Sequence, residues 1–221
     1  LSAWRQHNQR CGACAIALTP DKREQGNDGP AGLCRECADE LAPAPGNYCP
    51  CCGLPLPDDR EEAGPCAECM AMPRPWHRLM FHGLYEGRLR QLLMEFKFSG
   101  GLGHGALLQR LALQAWRSGR DNAEGPAPDV IAPVPLHRVR LRQRGYNQSL
   151  ELARGLAKAL DARISSRAVQ RMRSTPPQMS LSREERLTNL ADAFVADEEL
   201  VRGRHVLLVD DIMTTGATLQ E

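Results

Sequence analysis

The segment that most constrains the fold is a short apolar run near the end of the chain, together with the polar turn that follows it. The run Val206-Leu207-Leu208-Val209 leads directly into Asp210-Asp211 and then into Ile212-Met213-Thr214-Thr215-Gly216-Ala217-Thr218. A short apolar run bounded by turn residues is typical of a buried strand. Thr and Gly residues after such a strand allow successive backbone N–H groups to converge on an anion where the next helix begins. The sequence therefore predicts a buried strand that ends in an anion-binding turn.

The residue types in this turn indicate which ligand it would bind. The positions that would hold a phosphate are Thr214, Thr215, Gly216, Ala217 and Thr218. Asp210 and Asp211 suit another part of the ligand, because ionised carboxylates only accept hydrogen bonds and bind sugar hydroxyls or hydrated Mg²⁺. A phosphate beside vicinal hydroxyls describes a ribose 5-phosphate. The alternative is an ordinary Gly/Thr turn with two solvated acids, since short motifs also match by chance.

The whole stretch from Val206 to Leu219 resembles the motif with which type I phosphoribosyltransferases bind 5-phosphoribosyl-1-pyrophosphate (PRPP), and no position departs from that pattern. The resemblance favours a ligand site over an ordinary turn. It implies that Asp210 and Asp211 hold the ribose hydroxyls, that the turn holds the 5-phosphate, and that Mg²⁺ accompanies PRPP.

The amino-terminal part of the chain is dominated by cysteine. All nine cysteines precede residue 70, and eight of them form four C-x-x-C pairs: Cys11/Cys14, Cys34/Cys37, Cys49/Cys52 and Cys66/Cys69. Two such pairs close a tetrahedral structural zinc site with no open position. Linkers of 19 and 13 residues between the pairs suit two zinc ribbons in series. An interleaved arrangement, in which the first pair shares a zinc with the third, stays open.

Other uses of these cysteines fit the sequence less well. Disulfides need an oxidising compartment, and a thioredoxin-like redox role needs a surrounding βαβ pattern that the flanking Gly and Pro residues do not provide. Cys52 completes the spacing with Cys49, so Cys51 is predicted to be a spare thiol. The module has little apolar material, so we expect metal binding to supply most of its folding free energy. Its role stays open between a nucleic-acid or protein docking module and an architectural cap.

The distribution of charge points to a phosphate-rich ligand. The formal net charge is only +1, but residues 138–173 hold 10 Lys/Arg against 2 acids, whereas residues 1–75 hold 7 Lys/Arg against 11 acids. An aromatic content of 5% does not support a stacking platform for single strands. No apolar run approaches 18 residues, and no signal or lipidation motif is present, so we expect a cytoplasmic protein without membrane insertion.

Four arginines follow a predicted strand at residues 129–134: Arg138, Arg140, Arg142 and Arg144. Their period of two would place all four guanidinium groups on one side of an extended backbone. Guanidinium groups bind phosphate oxygens in bidentate geometry. We therefore predict a pyrophosphate-binding loop, closed by Gly145 and followed by a helix over 149–160. A solvated charge run is the ordinary alternative.

Three further helices are predicted from apolar spacing and capping. Residues 88–98 and 104–116 show helical periodicity. Lys97 could contact a ligand phosphate, but we expect it to be an ordinary exposed lysine at a helix end. Ser182-x-x-Glu185 is a capping box that predicts a helix as far as Phe194. The preceding segment, which contains Arg171, Arg173 and Pro176-Pro177, is either a basic lid or an ordinary loop.

Taken in order, these elements resemble the competence protein F (ComF) family over nearly the whole chain. The resemblance is carried by the four cysteine pairs, Pro133-Val134-Pro135-Leu136, Arg144-Gly145-Tyr146-Asn147-Gln148, Arg171-x-Arg173-x-Thr175-x-x-Gln178, Leu181, Arg186, Asn189, Phe194 and the acid-pair motif. It implies an α/β fold: a type I phosphoribosyltransferase-like parallel sheet flanked by helices, with a small amino-terminal double zinc-ribbon module. It also implies a setting in DNA uptake during natural transformation. The sequence departs from the family pattern in two respects: it has an additional cysteine, Cys51, and it lacks the carboxyl-terminal strands.

We accordingly expect the zinc-ribbon module at residues 1–75 and the phosphoribosyltransferase-like domain at 76–221, truncated at its carboxyl end. If the domain is catalytic, a nitrogen nucleophile would displace pyrophosphate from C1 of PRPP. The predicted catalytic residues are Asp210, Asp211, Arg142 and Arg144, and Arg138, Arg140, Arg171 and Arg173 would bind the ligand. Our main prediction is a PRPP-binding protein of the ComF family that acts in DNA uptake. The alternatives are an active phosphoribosyltransferase that joins a nitrogenous base or amine to ribose 5-phosphate, and a zinc-ribbon nucleic-acid-binding or assembly subunit without catalysis. The implied partners are PRPP, single-stranded DNA and a DNA-uptake helicase or other competence proteins.

Overall fold

The computed structural model describes residues 10–18, 32–57, 64–98, 102–121, 126–174 and 190–221. The capping box at Ser182 and Glu185, the Pro176-Pro177 bend and the family positions at 175, 178, 181, 186 and 189 lie outside these ranges. Among the described residues, no helix combines the length and apolar character needed to cross a lipid bilayer.

The described helices are α1 (Arg35–Glu40), α2 (Ala67–Ala71), α3 (Gly87–Phe98), α4 (Gly105–Asp121), α5 (Arg138–Arg144), α6 (Gln148–Leu160), α7 (Glu198–Val201) and α8 (Ala217–Gln220), with a 3₁₀ turn over Leu102–His104. The described strands are β1 (Asn47–Tyr48), β2 (Pro55–Leu56), β3 (Val130–Pro133), β4 (Arg163–Ile164), β5 (Val169–Arg171), β6 (Phe194–Ala196) and β7 (Val206–Val209).

A three-stranded parallel sheet in the order β4-β3-β7 forms the centre of the fold. All four residues of β3 are buried, as expected for the middle strand of a covered parallel sheet. The register pairs Val130 with Val206 and Pro133 with Val209. The chain therefore leaves β3 and β7 at the same edge of the sheet, and the segments that follow these two strands meet there. The predicted parallel sheet flanked by helices is confirmed.

Helices α4 and α6 pack against each other and against the sheet. Leu107, Leu108 and Leu111 of α4 and Leu152 and Leu156 of α6 are buried in the main core. The two helices approach closely at Gly155, where a Cβ would lie 2.6 Å from the Cβ of Gln109. This contact fixes the position of α6, whose first turn reaches the carboxyl edge of the sheet.

The first part of the cysteine-rich region packs directly on helix α3. Cys11, Cys34, Cys37 and Leu41 belong to the same apolar cluster as Phe96. Polar contacts border this interface: Arg88 Nε donates to Glu40 Oε2 at 2.8 Å, and His82 Nε2 lies 2.8 Å from the carbonyl oxygen of Leu41. The apolar core thus continues across residue 75, and the division of the chain at that position stays a prediction.

The four-arginine segment is a helix rather than the extended loop that we predicted. Leu, Arg and Gln are good helix formers, and the His137 side chain accepts a hydrogen bond from the backbone N–H of Val139 at the start of α5. Gly145, at φ 81°, ends α5 in the left-handed conformation that favours glycine. The period of two in the sequence therefore does not reflect a strand.

The helix predicted to extend to Phe194 is wrong at its carboxyl end. Phe194 begins β6, which pairs antiparallel with β5 so that Arg171 lies opposite Phe194. Asp192 adopts a left-handed conformation at φ 56°, which interrupts a helix before that point. Arg171 consequently lies in a short hairpin-like pair of strands rather than in the predicted basic lid or loop.

Candidate functional site

Two adjacent carboxylates stand at the carboxyl edge of the sheet, directly after β7. Asp210 Oδ1 accepts a hydrogen bond from Ser149 Oγ at 2.9 Å and another from the backbone N–H of Asp211 at 2.9 Å. Ser149 lies in the first turn of α6, which the α4–α6 contact brings to this edge. The predicted acid pair is therefore held in a defined geometry by groups from two elements.

Asp210 has a strongly altered acidity. Burial raises the pKa of Asp210 to about 7, and the neighbouring charge of Asp211 adds to the effect, although the hydrogen bond from Ser149 opposes it. Near neutral pH this carboxyl group can therefore either hold a proton or accept one. Such a group can donate a hydrogen bond to a sugar hydroxyl or accept one from it.

Lys97 contacts the second carboxylate. Its Nζ lies 3.0 Å from Asp211 Oδ2 and 3.4 Å from Oδ1. Our interpretation of Lys97 as an ordinary exposed lysine was wrong. Lys97 follows Leu93 by four residues and therefore lies near the buried stripe of α3; that spacing is the signal in the sequence that could have identified it.

The four arginines of α5 fall into two pairs that face different directions. Residues four apart share a helix face, so Arg140 pairs with Arg144, and Arg138 pairs with Arg142. Arg140 and Arg144 face the acid pair and are half-buried, whereas Arg138 and Arg142 are exposed. Burial and the nearby charge of Arg144 lower the pKa of Arg140. The prediction that all four guanidinium groups lie on one side is therefore wrong.

The segment Arg144-Gly145-Tyr146-Asn147-Gln148 connects the elements around the acid pair. Asn147 caps α6 by accepting from Ser149 N at 3.1 Å, and its Nδ2 donates to the carbonyl oxygen of Val134 at 2.9 Å. Gln148 accepts from Arg144 Nη1 at 3.2 Å and donates to the carbonyl oxygen of Lys97 at 3.4 Å. This family-like segment thus ties the end of β3, helix α5 and the end of α3 to one another.

A cavity of about 580 Å³ opens at this edge of the sheet; we call it the acid-pair cavity. Its lining includes the charged residues Lys97, Arg140, Arg144, Arg171, Asp210 and Asp211 and the largely apolar residues Tyr85, Met94, Phe98, Leu136 and Tyr146. The guanidinium group of Arg144 lies over the ring of Phe98, 5.2 Å from its centroid. Burial, together with the charge of Arg140, lowers the pKa of Arg171 to about 10. Arg173 does not line this cavity; its guanidinium donates to the carbonyl oxygen of Ala191.

The predicted phosphate turn borders the same cavity. Thr214 and Thr218 line it, and Gly216 precedes α8 at φ 77°, in the left-handed region that favours glycine. Thr215 Oγ1 accepts from the backbone N–H of Ala217 at 3.4 Å. The turn, the acid pair and two of the four α5 arginines are therefore brought together.

The second half of the cysteine region reaches the far side of this turn. Trp76 Nε1 donates to the carbonyl oxygen of Cys51 at 2.8 Å, and Arg74 Nη1 donates to Gln220 Oε1 at 3.3 Å. Neither Arg74 nor Trp76 was among the predicted site residues. Nothing in the local pattern identifies these two residues, because their partners lie far away in the chain.

The eight paired cysteines form two separate clusters, each with its sulfur atoms within 4.8 Å of one another. The first cysteine cluster is Cys11, Cys14, Cys34 and Cys37, and the second is Cys49, Cys52, Cys66 and Cys69. The series arrangement is confirmed, the interleaved one is excluded, and Cys51 lies outside both clusters.

The sulfur geometry fits a tetrahedral metal ion. Cys14 Sγ lies 3.8 Å from Cys34 Sγ, and Cys52 Sγ lies 3.7 Å from Cys66 Sγ. Zinc–sulfur bonds of about 2.3 Å give a tetrahedron with edges of about 3.8 Å. In each cluster a backbone N–H also donates to a sulfur: Cys34 N to Cys11 Sγ at 3.4 Å and Cys66 N to Cys49 Sγ at 3.3 Å.

The acidities in the second cysteine cluster also favour a cation. Burial opposes ionisation of Cys49, but hydrogen bonds from the backbone of Cys66, Cys51 and Cys52 outweigh it and lower the pKa of Cys49 to about 6. Burial and the neighbouring sulfurs raise the pKa of Cys52 to about 12. The Cys49 thiol ionises readily, whereas the Cys52 thiol does not. A bound cation is therefore needed to stabilise all four cysteines of the cluster as thiolates.

Comparison with known proteins gives a consistent set of relatives. A family model described as "Phosphoribosyl transferase domain" matches residues 146–221. The chain is 37% identical to the "DNA utilization protein YhgH" of Escherichia coli (strain K12) over 190 residues, which cover 86% of this chain and 82% of that protein. No solved structure gives a significant match.

Two further relatives carry competence names. "Competence protein F" of Haemophilus influenzae is 35% identical over 193 residues, covering 86% of this chain and 82% of that protein. "Competence protein ComFC" of Bacillus subtilis (strain 168) is 27% identical over 201 residues, covering 85% of this chain and 74% of that protein.

Proposed function

Because the chain belongs to the competence protein F (ComF) family, with a phosphoribosyltransferase-like domain, we propose that it binds PRPP in the acid-pair cavity and acts in DNA uptake. The observation that carries the proposal is the convergence of three groups on one cavity: the acid pair, the Thr-rich turn and Arg140 with Arg144. Each group suits a different part of one ligand.

The proposed pose follows from the chemistry of these groups. Asp210 and Asp211 accept hydrogen bonds from the ribose 2- and 3-hydroxyls. The turn over residues 214–218 receives the 5-phosphate through backbone N–H and hydroxyl donors. Arg140 and Arg144 bind the pyrophosphate, because guanidinium groups match phosphate oxygens. Arg171 lies close enough to Arg140 for the charge of Arg140 to contribute to its lowered pKa, and Arg171 adds a third cation to this end.

Mg²⁺ would accompany the pyrophosphate, where it neutralises negative charge. Arg140 and Arg144 would hold the pyrophosphate, and its oxygens together with water would be the ligands of the metal ion, as is typical of protein-bound Mg²⁺. The acid pair would orient the ribose, and the Thr-rich turn and the arginines would bind the phosphate groups at its two ends. Together these groups would exclude water from one side of the sugar.

The binding proposal is tested by isothermal titration of PRPP with Mg²⁺ into the wild-type protein and into Asp211→Asn. We expect one site per chain and a loss of at least about tenfold in affinity in the variant, since a charged hydrogen-bonding partner is removed. Asp161→Asn, which alters an exposed carboxylate at the end of α6, is the matched control and should bind as the wild type does. No binding by the wild type would refute the proposal.

A second candidate is an active phosphoribosyltransferase, and one observation favours it. Tyr85, Phe98 and Tyr146 line the cavity together with the charged groups, and aromatic rings of this kind can stack on a planar nitrogenous acceptor. In that reaction the acceptor nitrogen forms a bond to C1 of PRPP while the bond from C1 to pyrophosphate breaks. Release of pyrophosphate that depends on an added base, and that is lost in Asp210→Asn/Asp211→Asn, would establish turnover.

We propose that both cysteine clusters bind structural zinc within a module over residues 1–75. All four ligand positions of each cluster are filled by sulfur, so neither cluster has an open position for chemistry. Two zinc ions per chain in the purified protein would support this assignment, and a different metal or fewer ions would contradict it.

We propose single-stranded DNA as a partner of the protein, alongside a helicase or other competence proteins of the uptake machinery, and the cytoplasm as its location. The support comes from the names of the relatives and from the local excess of arginine. Fluorescence anisotropy with a labelled oligonucleotide tests the first partner. We expect affinity that falls with rising salt, because phosphate contacts release counterions; salt-independent or absent binding would count against DNA as a direct ligand.

A further inference from the structure

The ion pair between Lys97 and Asp211 is shielded from solvent. The side chains are 20% and 9% exposed, respectively, and Nζ lies within 3.4 Å of both oxygens of the carboxylate. Salt and water screen such a pair less than they screen a surface pair. The ammonium group of Lys97 is therefore a stable part of the acid-pair site rather than a weak surface contact.

The position of the ammonium group is fixed by the backbone that carries it. Lys97 lies in the last turn of α3, and the preceding Phe96 is fully buried in the main core. The carbonyl oxygen of Lys97 accepts from Gln148 Nε2, and Gln148 is itself only 1% exposed. Both anchors hold the end of α3 against the first turn of α6, so the lysine side chain starts from a well-defined point.

The acid pair already has protein partners where a carboxylate pair that binds a metal ion would have the metal. Asp210 is hydrogen-bonded to the Ser149 hydroxyl, and Asp211 already has a cation at 3.0 Å. A divalent cation at Asp211 would have to displace Lys97 or tolerate its repulsion. An ammonium group has three donors, so Lys97 can hold Asp211 and still donate to an oxygen in the cavity that it lines.

We propose that Lys97 is a positioning residue that takes the place of a divalent cation at the acid pair. It holds Asp211 so that the carboxylate accepts from one ribose hydroxyl, and it donates to the oxygen of the other. The ribose-phosphate end of the ligand then binds without Mg²⁺, and only the pyrophosphate end requires the metal ion. This inference rests on the proposed function, because it assigns a role within the same site.

Ribose 5-phosphate is the probe that separates the two ends of the ligand. Isothermal titration is carried out on the protein with its cysteine-bound metal intact, with and without millimolar MgCl₂. Buffers are cleared of divalent ions on a chelating resin beforehand, because a soluble chelator would compete for the cysteine sites. We expect the wild-type affinity to change by less than about twofold between the two conditions.

Lys97→Met should lower the affinity about tenfold without Mg²⁺, the loss expected when one charge-assisted hydrogen bond is removed. Added Mg²⁺ should then restore part of the binding, because the vacated carboxylate can accept a metal ion. Lys97→Arg should retain most of the affinity. Lys158→Met, at an exposed lysine of α6, is the matched control and should leave binding unchanged.

The outcomes separate this inference from the proposed function. Wild-type binding that requires Mg²⁺, or Lys97→Met binding equal to wild type, overturns the role of Lys97 while leaving the site intact. No binding of ribose 5-phosphate by the wild type under either condition overturns the role of Lys97, and only a failure to bind PRPP with Mg²⁺ as well overturns the proposed function. Thermal unfolding and metal content check that the variants fold, and Lys97→Gln, which keeps a donor, replaces Lys97→Met if that variant is unstable. A purely structural lysine would alter stability without changing the dependence on Mg²⁺.

Discussion

The ring of Trp76 packs against the backbone of Gly216, so that a Cβ on Gly216 would lie 3.3 Å from Cη2 of the indole. The same indole donates its Nε1–H to the carbonyl oxygen of Cys51, between two members of the second cysteine cluster. A single side chain therefore connects that cluster to the turn that borders the acid-pair cavity. The second cysteine cluster is therefore linked to the site through Trp76.

The contact between Trp76 and Gly216 predicts a large effect of Gly216→Ala. The left-handed φ of 77° strains any residue with a Cβ, and the indole leaves the added methyl group little room. We expect a loss of about 2 kcal/mol in the free energy of unfolding, together with weaker binding of ribose 5-phosphate. Urea unfolding and titration calorimetry measure the two effects.

Gly203→Ala is the matched control for this substitution. Gly203 also has a positive φ, 68°, but a Cβ there would meet nothing within 4 Å. It should cost only about 1 kcal/mol, from backbone strain alone, and leave ligand affinity unchanged. Equal effects of the two substitutions on stability and binding would show that the Trp76 contact is unimportant.

The cysteine clusters predict different metal contents for neighbouring substitutions. Cys52 belongs to the second cluster, whereas Cys51 belongs to neither. Elemental analysis should therefore find two metal ions per chain in Cys51→Ser and one in Cys52→Ser. Because Trp76 binds the Cys51 carbonyl, Cys52→Ser should also weaken ribose 5-phosphate binding. A loss of metal in Cys51→Ser would require a revised ligand set.

The two faces of α5 predict unequal roles for its arginines. Arg140→Gln and Arg144→Gln should each lower the affinity for pyrophosphate about tenfold, since each removes a charge-assisted contact on the cavity side. Arg138→Gln and Arg142→Gln remove the same charge from the exposed face and should change affinity by less than about twofold. Calorimetry with pyrophosphate and Mg²⁺ measures all four variants. Equal losses on both faces would indicate only a long-range effect of net charge.

Much of this site could be predicted from the sequence because its signals are local. The acid pair and Thr-rich turn follow a strand directly, and C-x-x-C spacing defines metal ligands within a few residues. The arginine segment shows the limit of such patterns. A period of two describes a strand only if the backbone is extended, and the helix propensity of Arg, Leu and Gln, together with the cap at Gly145, outweighs that reading.

The contacts that Lys97, Ser149 and Trp76 make with distant residues show what local patterns cannot provide. Lys97 meets Asp211 across 114 positions in the chain, and Ser149 meets Asp210 across 61. These contacts exist because α3, α6 and β7 converge at one edge of the sheet, which depends on the packing of the whole core. Trp76 was missed for the same reason, since its partners are the turn at Gly216 and the carbonyl of Cys51.

The acidity of Asp210 predicts a pH-dependent effect of Asp210→Asn. Burial raises the pKa of Asp210 from 3.8 to about 7, so the folded protein holds this proton more tightly than the unfolded chain does. The associated stability is fully present below the unfolded value and is lost as pH rises toward the folded value. Asn cannot ionise, and its oxygen can still accept from Ser149.

The gain in unfolding free energy of Asp210→Asn over the wild type should therefore increase by about 2 kcal/mol between about pH 5 and about pH 8. Chemical unfolding of both proteins across this range measures the difference. Asp161→Asn, at the exposed end of α6, is the matched control for the removal of a carboxylate. A constant or decreasing gain for Asp210→Asn would mean that Asp210 is ionised throughout this range.

The most direct test of the central claim is a crystal structure of the protein in complex with PRPP and Mg²⁺. We expect the ribose hydroxyls within hydrogen-bond distance of Asp210 and Asp211, the 5-phosphate on the turn over residues 214–218, and the pyrophosphate beside Arg140 and Arg144. PRPP bound elsewhere, or an empty acid-pair cavity at a saturating concentration of PRPP, would contradict the assignment of this cavity as the ligand site.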